Sequence, residues 1–131
     1  MFKDCRTTTE KGNIGEAYAI AHFTKLLAIV SKPLFPNSDY DLVVELDNKL
    51  NRVQVKTTEQ FNPSDTRYMV NLKTSGSNAR VNNTRPFDPK RIELLFVLAD
   101  NGTRWVIPTT KFTARHSLTL SEQYDAYIIK D

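Results

Sequence analysis

The stretch from Ser38 to Thr57 constrains the fold most, because it has the pattern of two β-strands joined by a tight polar turn. Apolar residues alternate with polar or smaller ones from Tyr40 to Leu46, and the same period of two returns from Val53 to Thr57. This period is typical of strands that bury one face. Asp47-Asn48-Lys49 supplies the turn, because Asp and Asn tolerate left-handed backbone and hydrogen-bond their own backbone. The sequence therefore predicts a β-hairpin here.

Three polar side chains stand out on this hairpin. Asp41 lies on the first strand, and Gln54 and Lys56 share one face of the second. Such a hairpin holds a carboxylate, an amide and an ammonium group within reach of one another. Oxygen ligands of this kind suit a hard cation such as Mg²⁺, and a lysine can orient a water that attacks a phosphate. Each residue alone is more often an ordinary strand or turn side chain, so only their joint placement makes a candidate site.

A helix is predicted from about Lys11 to Ile29, with Thr8 or Thr9 as its N-cap. At about 100° per residue, Glu16 falls on the same stripe as four apolar residues. These are Ile20, Phe23, Leu27 and Val30. An unpaired carboxylate facing a core costs several kcal/mol. Glu16 is therefore a candidate ligand of the hairpin site, and the alternatives are an ion pair with a lysine at the core edge or exposure at a frayed helix end.

A basic, polar segment follows the hairpin. Residues 67–91 carry six basic residues and one acidic residue, a net charge of +5, whereas the rest of the chain has twelve basic and fourteen acidic residues. Residues 74–90 lack apolar periodicity, and a loop of this length is usually functional or disordered. We predict a DNA-contacting loop, since clustered basic groups bind phosphates; the alternative is that the charges only solvate it. The candidate DNA-binding residues are Lys73, Arg80, Asn82, Asn83, Arg85, Lys90 and Arg91.

The rest of the chain predicts an α/β domain. A strand is predicted at 67–73, and 92–99 is almost wholly apolar, as a strand buried on both faces would be. Asp100-Asn101-Gly102 is a strong hairpin turn into a further strand at 103–107, and Ser121 could cap a short helix. At 131 residues we expect a single domain, 1–131, with a flexible tail at about 1–8.

Composition limits the chemistry. The single Cys5 cannot form an internal disulfide, and no run approaches the roughly 18 apolar residues that span a membrane, so we expect a cytoplasmic protein. With only His22 and His116, a metal centre built from Cys and His is excluded in practice. Any bound metal must take oxygen ligands, and no organic cofactor is indicated.

The chain resembles the PD-(D/E)XK nuclease superfamily, in the variant whose second acidic position is Gln, a subgroup that includes intron-encoded homing endonucleases. The matching pieces are K-G-x-x-G-E at 11–16, Y-D-L at 40–42 and V-Q-V-K at 53–56, and the resemblance covers residues 11 to about 108. It implies a restriction-endonuclease-like core, a mixed β-sheet flanked by helices. It also implies Glu16, Asp41, Gln54 and Lys56 as catalytic residues, and Asp41, Glu16, Gln54 and the carbonyl of Val55 as ligands of Mg²⁺ or Mn²⁺.

Two departures from the superfamily pattern matter. Tyr40 replaces the Pro that usually precedes the Asp, and Gln54 replaces an acid, which lowers the negative charge of the site by one and should weaken its metal affinity. The resemblance implies a sequence-specific endonuclease acting on double-stranded DNA, homing or restriction-like. Because a chain this small cannot straddle a long site, we expect a homo-oligomer, a dimer or tetramer. Three alternatives stay open: a structure-selective nuclease of the junction resolvase type, a catalytically inactive DNA-binding module, and an interaction protein whose basic loop is incidental.

Overall fold

A computed structural model describes residues 1–36, 38–64, 66–75 and 84–131. It consists of a long N-terminal helix, a five-stranded mixed sheet, two small two-stranded sheets and two short 3₁₀ helices. The elements in chain order are α1 (Thr8–Lys25), β1 (Ile29–Ser31), β2 (Leu42–Leu46), β3 (Lys49–Thr58), β4 (Met69–Asn71), β5 (Thr74–Ser75), β6 (Thr84–Arg85), β7 (Leu94–Ala99), β8 (Arg104–Pro108), a 3₁₀ helix (Thr109–Lys111), β9 (Ser117–Thr119) and a second 3₁₀ helix (Glu122–Tyr127).

The main sheet has the strand order β1-β2-β3-β7-β8. All neighbouring pairs are antiparallel except β3 and β7, which run parallel from the Val53–Leu94 pair to the Thr58–Ala99 pair. Five of the six residues of β7 are buried, as its nearly continuous apolar sequence predicts for a strand covered on both faces. The predicted α/β class with a mixed sheet is confirmed.

The predicted hairpin forms β2 and β3. Its turn is tighter than the sequence indicated, because Asp47 and Asn48 both adopt positive φ, 52° and 61°, and Lys49 already begins β3. A two-residue turn of this kind matches the right-handed twist of the two strands. Leu42 and Val44 are fully buried, so the period of two in the sequence marks the buried face correctly.

Two apolar clusters cover the two faces of the sheet, because successive side chains of a strand point to opposite sides. The first packs under α1 and consists of Phe2, Ala19, Phe23, Leu42, Val44, Val53, Phe96 and Leu98. The second lies on the opposite face and consists of Val70, Leu72, Phe87, Ile92, Leu95, Val97, Ala99, Trp105, Ile107, Phe112, Leu118, Leu120 and Tyr124. In β3 the apolar residues face the helix, which leaves Gln54 and Lys56 on the opposite face.

The predicted limits of the helix are wrong at both ends. The N-cap is Thr7, whose Oγ1 accepts a hydrogen bond of 3.1 Å from the N–H of Glu10, so the helix starts three residues before the expected Lys11. It ends at Lys25, because Leu27 adopts a left-handed backbone with φ 63°. No Gly or Asn marks this stop in the sequence, and Ile29 begins β1 instead of ending the helix.

The buried face of α1 also differs from the predicted stripe. Gly15, Ala19 and Phe23, spaced four residues apart, are the buried positions, whereas Ile20 is partly exposed and Leu27 is 92% exposed. Gly15 explains the rotation, since a Cβ there would lie 2.6 Å from Thr57 Cγ2. Its missing side chain lets α1 approach β3 closely, so Glu16 lies at the edge of the packed face, not at its centre.

The two helical glycines provide a matched test of this packing. Nothing lies within 4 Å of a Cβ built on Gly12, so Gly12→Ala is expected to stabilise the protein by up to about 1 kcal/mol through helix propensity. Gly15→Ala gains the same propensity but must displace Thr57, and overpacking costs about 1–3 kcal/mol. We expect Gly15→Ala to be less stable than Gly12→Ala by chemical denaturation. Equal stabilities of the two variants would contradict the close approach.

The sheet of β4 and β9 lies on the face of the main sheet away from α1, where Val70 and Leu118 join the second apolar cluster. The predicted strand at 67–73 is shorter than expected and pairs as β4 with β9. β5 and β6 form a two-residue ladder at the base of the predicted DNA-contacting loop, whose residues 76–83 are outside the described part of the chain. Residues 1–8, expected to be a flexible tail, make specific contacts: Phe2 is 2% exposed, and the amino group of Met1 and the N–H of Phe2 both donate to Asp100 Oδ1 at 3.0 Å. None of the described helices is long and apolar enough to cross a membrane.

Candidate active site

The candidate site lies where β2 and β3 separate. Their ladder begins at the Leu42–Val53 pair, and just before it the N–H of Asp41 donates to the carbonyl of Val53 at 2.8 Å. β3 continues beyond this point, so the N–H of Val55 has no partner on β2. The Asp41 carboxylate provides the missing acceptor, because its Oδ2 accepts a hydrogen bond of 2.8 Å from the N–H of Val55. The start of the ladder thus fixes the Asp41 side chain against β3.

Gln54 packs against the same carboxylate. Its side chain is only 7% exposed, and its Nε2 donates to Asp41 Oδ2 at 3.0 Å. The other end of this amide, Oε1, is buried and has no hydrogen-bond partner among the described residues. An unpaired buried acceptor costs about 1–3 kcal/mol. The sequence prediction that Asp41 and Gln54 lie together is therefore matched by a direct hydrogen bond.

Burial raises the pKa of the Asp41 carboxyl. The hydrogen bond from Val55 opposes this rise, while the negative charge of Glu16 adds to it. Lys56 and Lys32 each favour the ionised form from a distance. The carboxyl group is thus held where ionisation is costly, and bringing positive charge near it would lower that cost.

Lys56 is half-buried, and its Nζ donates to the backbone carbonyl of Lys73 at 3.0 Å. Burial lowers the pKa of its ammonium group, and the negative charge of Asp41 partly restores it. The alternative that Lys56 is an ordinary exposed strand lysine does not match this environment. Lys73 itself is exposed and immediately precedes the β5–β6 hairpin, so the ammonium group connects the candidate site to the base of the basic loop.

Glu16 approaches Asp41 from α1. Both carboxylates line a pocket of about 240 Å³, whose other wall is the segment Lys32–Pro36. The Lys32 ammonium group forms an ion pair with Glu16 Oε1, and this contact raises the pKa of Lys32. The ion pair with a lysine was the alternative interpretation of Glu16 from the sequence. It occurs inside the pocket that Asp41 also lines, so Glu16 is both paired and next to the candidate site.

The donor set fits a hard cation. Among the described residues, no group of three or more His, Cys, Asp or Glu side chains converges, so the oxygens available here are two carboxylates and an amide. Asp41 Oδ1 accepts no hydrogen bond from the described residues, and Gln54 Oε1 is unpaired. Carboxylate and amide oxygen atoms of this kind suit a hard cation such as Mg²⁺, although Gln54 does not itself line the pocket of Glu16 and Asp41. Asp41, Gln54, Glu16 and the carbonyl of Val55 remain the predicted ligands.

The predicted DNA-binding residues divide into three groups. Arg85 Nη2 and Arg91 Nε both contact Asp39, at 2.9 and 2.7 Å from its two carboxylate oxygens, on the rim of a cleft of about 610 Å³. Lys73 and Lys90 are exposed, and Lys90 lines the same cleft. The third group lies outside the described residues and consists of Arg80, Asn82 and Asn83.

Two residues at these sites were not singled out from the sequence. Lys32 follows β1 directly and precedes Pro33, a context that indicates an extended segment but not which way the side chain points. Asp39 lies two residues before Asp41, and its two arginine partners are 46 and 52 positions further along the chain. Only the three-dimensional fold brings these charges together. No local signal identifies either contact.

The fold and the candidate site together indicate the class of protein. The mixed sheet with α1 against one face agrees with the expected restriction-endonuclease-like core. Asp41, Gln54 and Lys56 lie where its strands β2 and β3 separate. The family model described as PD-(D/E)XK endonuclease matches residues 6–126. The chain therefore belongs to the PD-(D/E)XK endonuclease family.

Similarity to a solved structure confirms the fold. The chain is similar to a structure described as the bacterial homing endonuclease I-Ssp6803I, with a TM-score of 0.76, 23% sequence identity, and coverage of 93% of this chain and 88% of the other. A second structure, described as MepB, matches with a TM-score of 0.41 and 10% identity over 87% of this chain and 95% of the other. No curated protein matches the sequence significantly.

Proposed function

We propose that this protein is a Mg²⁺-dependent endonuclease that hydrolyses phosphodiester bonds in double-stranded DNA, with Mn²⁺ as an alternative metal. The observation that carries the proposal is the Asp41 carboxylate at the point where β2 and β3 separate, held there by Gln54 and by the N–H of Val55, with the half-buried Lys56 next along β3. The family model supports the reaction class. The similar fold of a bacterial homing endonuclease supports a sequence-specific, homing or restriction-like role.

Each residue has a role that follows from its position. Asp41 offers Oδ1 as the main ligand atom, while Val55 and Gln54 hold Oδ2 and so fix the direction of the carboxylate. Gln54 Oε1 and Glu16 supply further oxygen atoms. A bound divalent metal would neutralise the phosphate and lower the pKa of an attacking water. Lys56, whose pKa burial lowers, is suited to orient that water or to accept its proton.

The basic residues would place the duplex. Arg85 and Arg91 converge on one carboxylate, which brings two guanidinium groups close enough together to hold a single phosphate. The predicted DNA-binding residues Lys73, Arg80, Asn82, Asn83 and Lys90 would add contacts to the DNA backbone and bases. Cutting both strands requires two such sites, so we propose a homo-oligomer in which each protomer cuts one strand.

The test uses a pool of fragmented DNA of high sequence complexity, because an enzyme with a rare site can leave any one plasmid intact. The pool is incubated with the purified protein in Mg²⁺ or in EDTA, and the new ends are sequenced. We expect recurrent ends in Mg²⁺ alone. Asp41→Asn protein purified in the same way controls for a contaminating nuclease.

Other outcomes separate the alternatives. Recurrent ends at branched substrates but not in linear duplex would favour a structure-selective nuclease of the junction resolvase type. Salt-sensitive duplex binding with no new ends in any metal would favour a catalytically inactive DNA-binding module, in which Gln54 has cost the site its activity. Absence of both binding and cutting would contradict the proposal and leave an interaction protein with an incidental basic loop.

A further inference from the structure

The pocket shared by Glu16 and Asp41 is lined by a lysine, Lys32, that the proposed chemistry does not use. The Lys32 ammonium group forms an ion pair with Glu16 Oε1, and Lys32 forms a wall of the same pocket of about 240 Å³. Its charge also favours the ionised form of Asp41. Lys32 therefore touches one predicted metal ligand and acts electrostatically on the other.

The ion pair between Lys32 and Glu16 affects how well the site can bind a metal, because it changes the net charge there. Glu16 and Asp41 carry two formal negative charges, and Lys32 and Lys56 carry two positive ones, so the site as folded is formally neutral. An acid in place of Gln54 would leave it at −1. A divalent cation gains little from a neutral site, because its attraction to the carboxylates is offset by repulsion from the ammonium groups. The Lys32 charge must leave Glu16 before that carboxylate can bind a metal well.

The two lysines differ in their freedom to move. The Lys56 ammonium group is held by the carbonyl of Lys73 in a half-buried position. The Lys32 side chain is 64% exposed, whereas that of Glu16 is only 20% exposed. The backbone of Lys32 is fixed between β1 and Pro33, so its side chain can swing away from Glu16 without rearrangement of the fold. Lys32 is thus the cation that can leave.

We propose that Lys32 is a built-in competitor for the metal: it occupies Glu16 in the free protein and transfers to a phosphate oxygen of the DNA when a divalent metal takes the carboxylate. This inference rests on the proposed function, since it presumes a metal and a phosphate in the same pocket. A lysine ammonium group binds phosphate well as a point charge. Metal binding and DNA binding would then support each other. The metal displaces Lys32 from Glu16 and frees it for a phosphate, and the phosphate draws Lys32 away and frees Glu16 for the metal.

The first arm of the test measures Mn²⁺ binding without DNA by isothermal titration calorimetry, so that no turnover contributes. Lys32→Met keeps the aliphatic side chain and removes the charge, and we expect it to bind Mn²⁺ on the order of tenfold more tightly than wild type. Lys25→Met is the matched control, since Lys25 is an exposed lysine on α1 that lies 4.0 Å from a carboxylate oxygen of Asp131. The control should bind as wild type does.

A double-mutant cycle separates competition from a structural effect. Glu16→Gln should weaken Mn²⁺ binding, and adding Lys32→Met to Glu16→Gln should change the affinity much less than it changes wild type, because the contested carboxylate is gone. A variant that had merely disturbed the fold would bind Mn²⁺ more weakly in both backgrounds. Tighter binding in one background alone supports the competition.

The second arm measures duplex binding in EDTA against salt concentration, and then cleavage at saturating Mn²⁺. In EDTA, Lys32 of the wild type stays paired with Glu16 and contacts no phosphate, so Lys32→Met should bind the duplex as wild type does. At saturating Mn²⁺, Lys32→Met lacks the phosphate contact and should cleave bound DNA about tenfold or more slowly. Tighter metal binding combined with slower cleavage is the expected signature. Equal Mn²⁺ affinities of wild type and Lys32→Met would overturn the inference while leaving the proposed function intact. Absence of Mn²⁺ binding by both wild type and Lys32→Met, with and without duplex DNA, would instead contradict the proposed function itself.

Discussion

Replacing Asp41 with Asn is expected to abolish DNA cleavage, by about 10³-fold or more, while making the folded protein more stable. Asn can still accept the N–H of Val55 and the Nε2 of Gln54 with its side-chain oxygen, so the local hydrogen bonds are kept. It cannot offer a charged ligand atom to a metal. Cleavage of the target found in the DNA pool measures the loss of activity.

The stability change of Asp41→Asn depends on pH with a definite sign. Burial raises the pKa of Asp41 above its unfolded value of about 3.9, so the cost of the buried charge is present in wild type above the folded-state pKa. The advantage of Asn should therefore be present at neutral pH and disappear as the pH falls below about 4. Asp47→Asn removes the same charge from the exposed turn of the same hairpin and is the matched control. Lower stability of Asp41→Asn at neutral pH would show that its carboxylate has a structural role instead.

Replacing Lys56 with Met is expected to slow cleavage by roughly 10²- to 10⁴-fold, the range for loss of a positioned proton-transfer group. Duplex binding should change little, because the Lys56 ammonium group is bound to the Lys73 carbonyl and contributes little to the exposed basic surface. Cleavage rates under single-turnover conditions, together with duplex binding in EDTA, separate these two effects. Lys49→Met, at the exposed start of the same strand, is the control and should cut at the wild-type rate.

Stability provides a second measurement for Lys56. Burial lowers the pKa of its ammonium group. At a pH between this lowered pKa and the ordinary value of about 10.4, the unfolded chain keeps the proton of Lys56 and the folded protein loses it. The stability of wild type should rise with pH through that window, while Lys56→Met should lack the rise. If the Lys56→Met variant cuts DNA at the wild-type rate, Lys56 has no part in the mechanism, whatever its effect on stability.

The parts of the fold that follow from local pattern were predictable. The alternation around Asp41 and Val53 and the positive-φ residues Asp47 and Asn48 specify the hairpin, and its register brings Asp41 next to Gln54. The apolar run of β7 specifies a central strand. In each case, a few neighbouring residues determine the structure.

The features that the sequence did not reveal depend on contacts between distant segments. The end of α1 is set by a left-handed Leu27, a residue type with no preference for that conformation. The buried stripe of the helix is set by how closely Gly15 can approach Thr57, which helix periodicity alone does not contain. The ion pair between Lys32 and Glu16 joins the end of β1 to α1, so the lysine of this pocket is visible only in three dimensions.

The central proposal is that the Asp41 carboxylate still holds a catalytic metal, although Gln54 stands at the position where the family pattern has a second acid. The most direct measurement is an anomalous difference map from crystals of the protein with a bound duplex and Mn²⁺. We expect a peak within about 2–2.5 Å of Asp41 Oδ1, with the Glu16 carboxylate turned towards it and away from Lys32. A map with no Mn²⁺ peak at Asp41, and with Lys32 still paired with Glu16 although the duplex is bound, would contradict the metal site. That result would favour a DNA-binding module without catalysis.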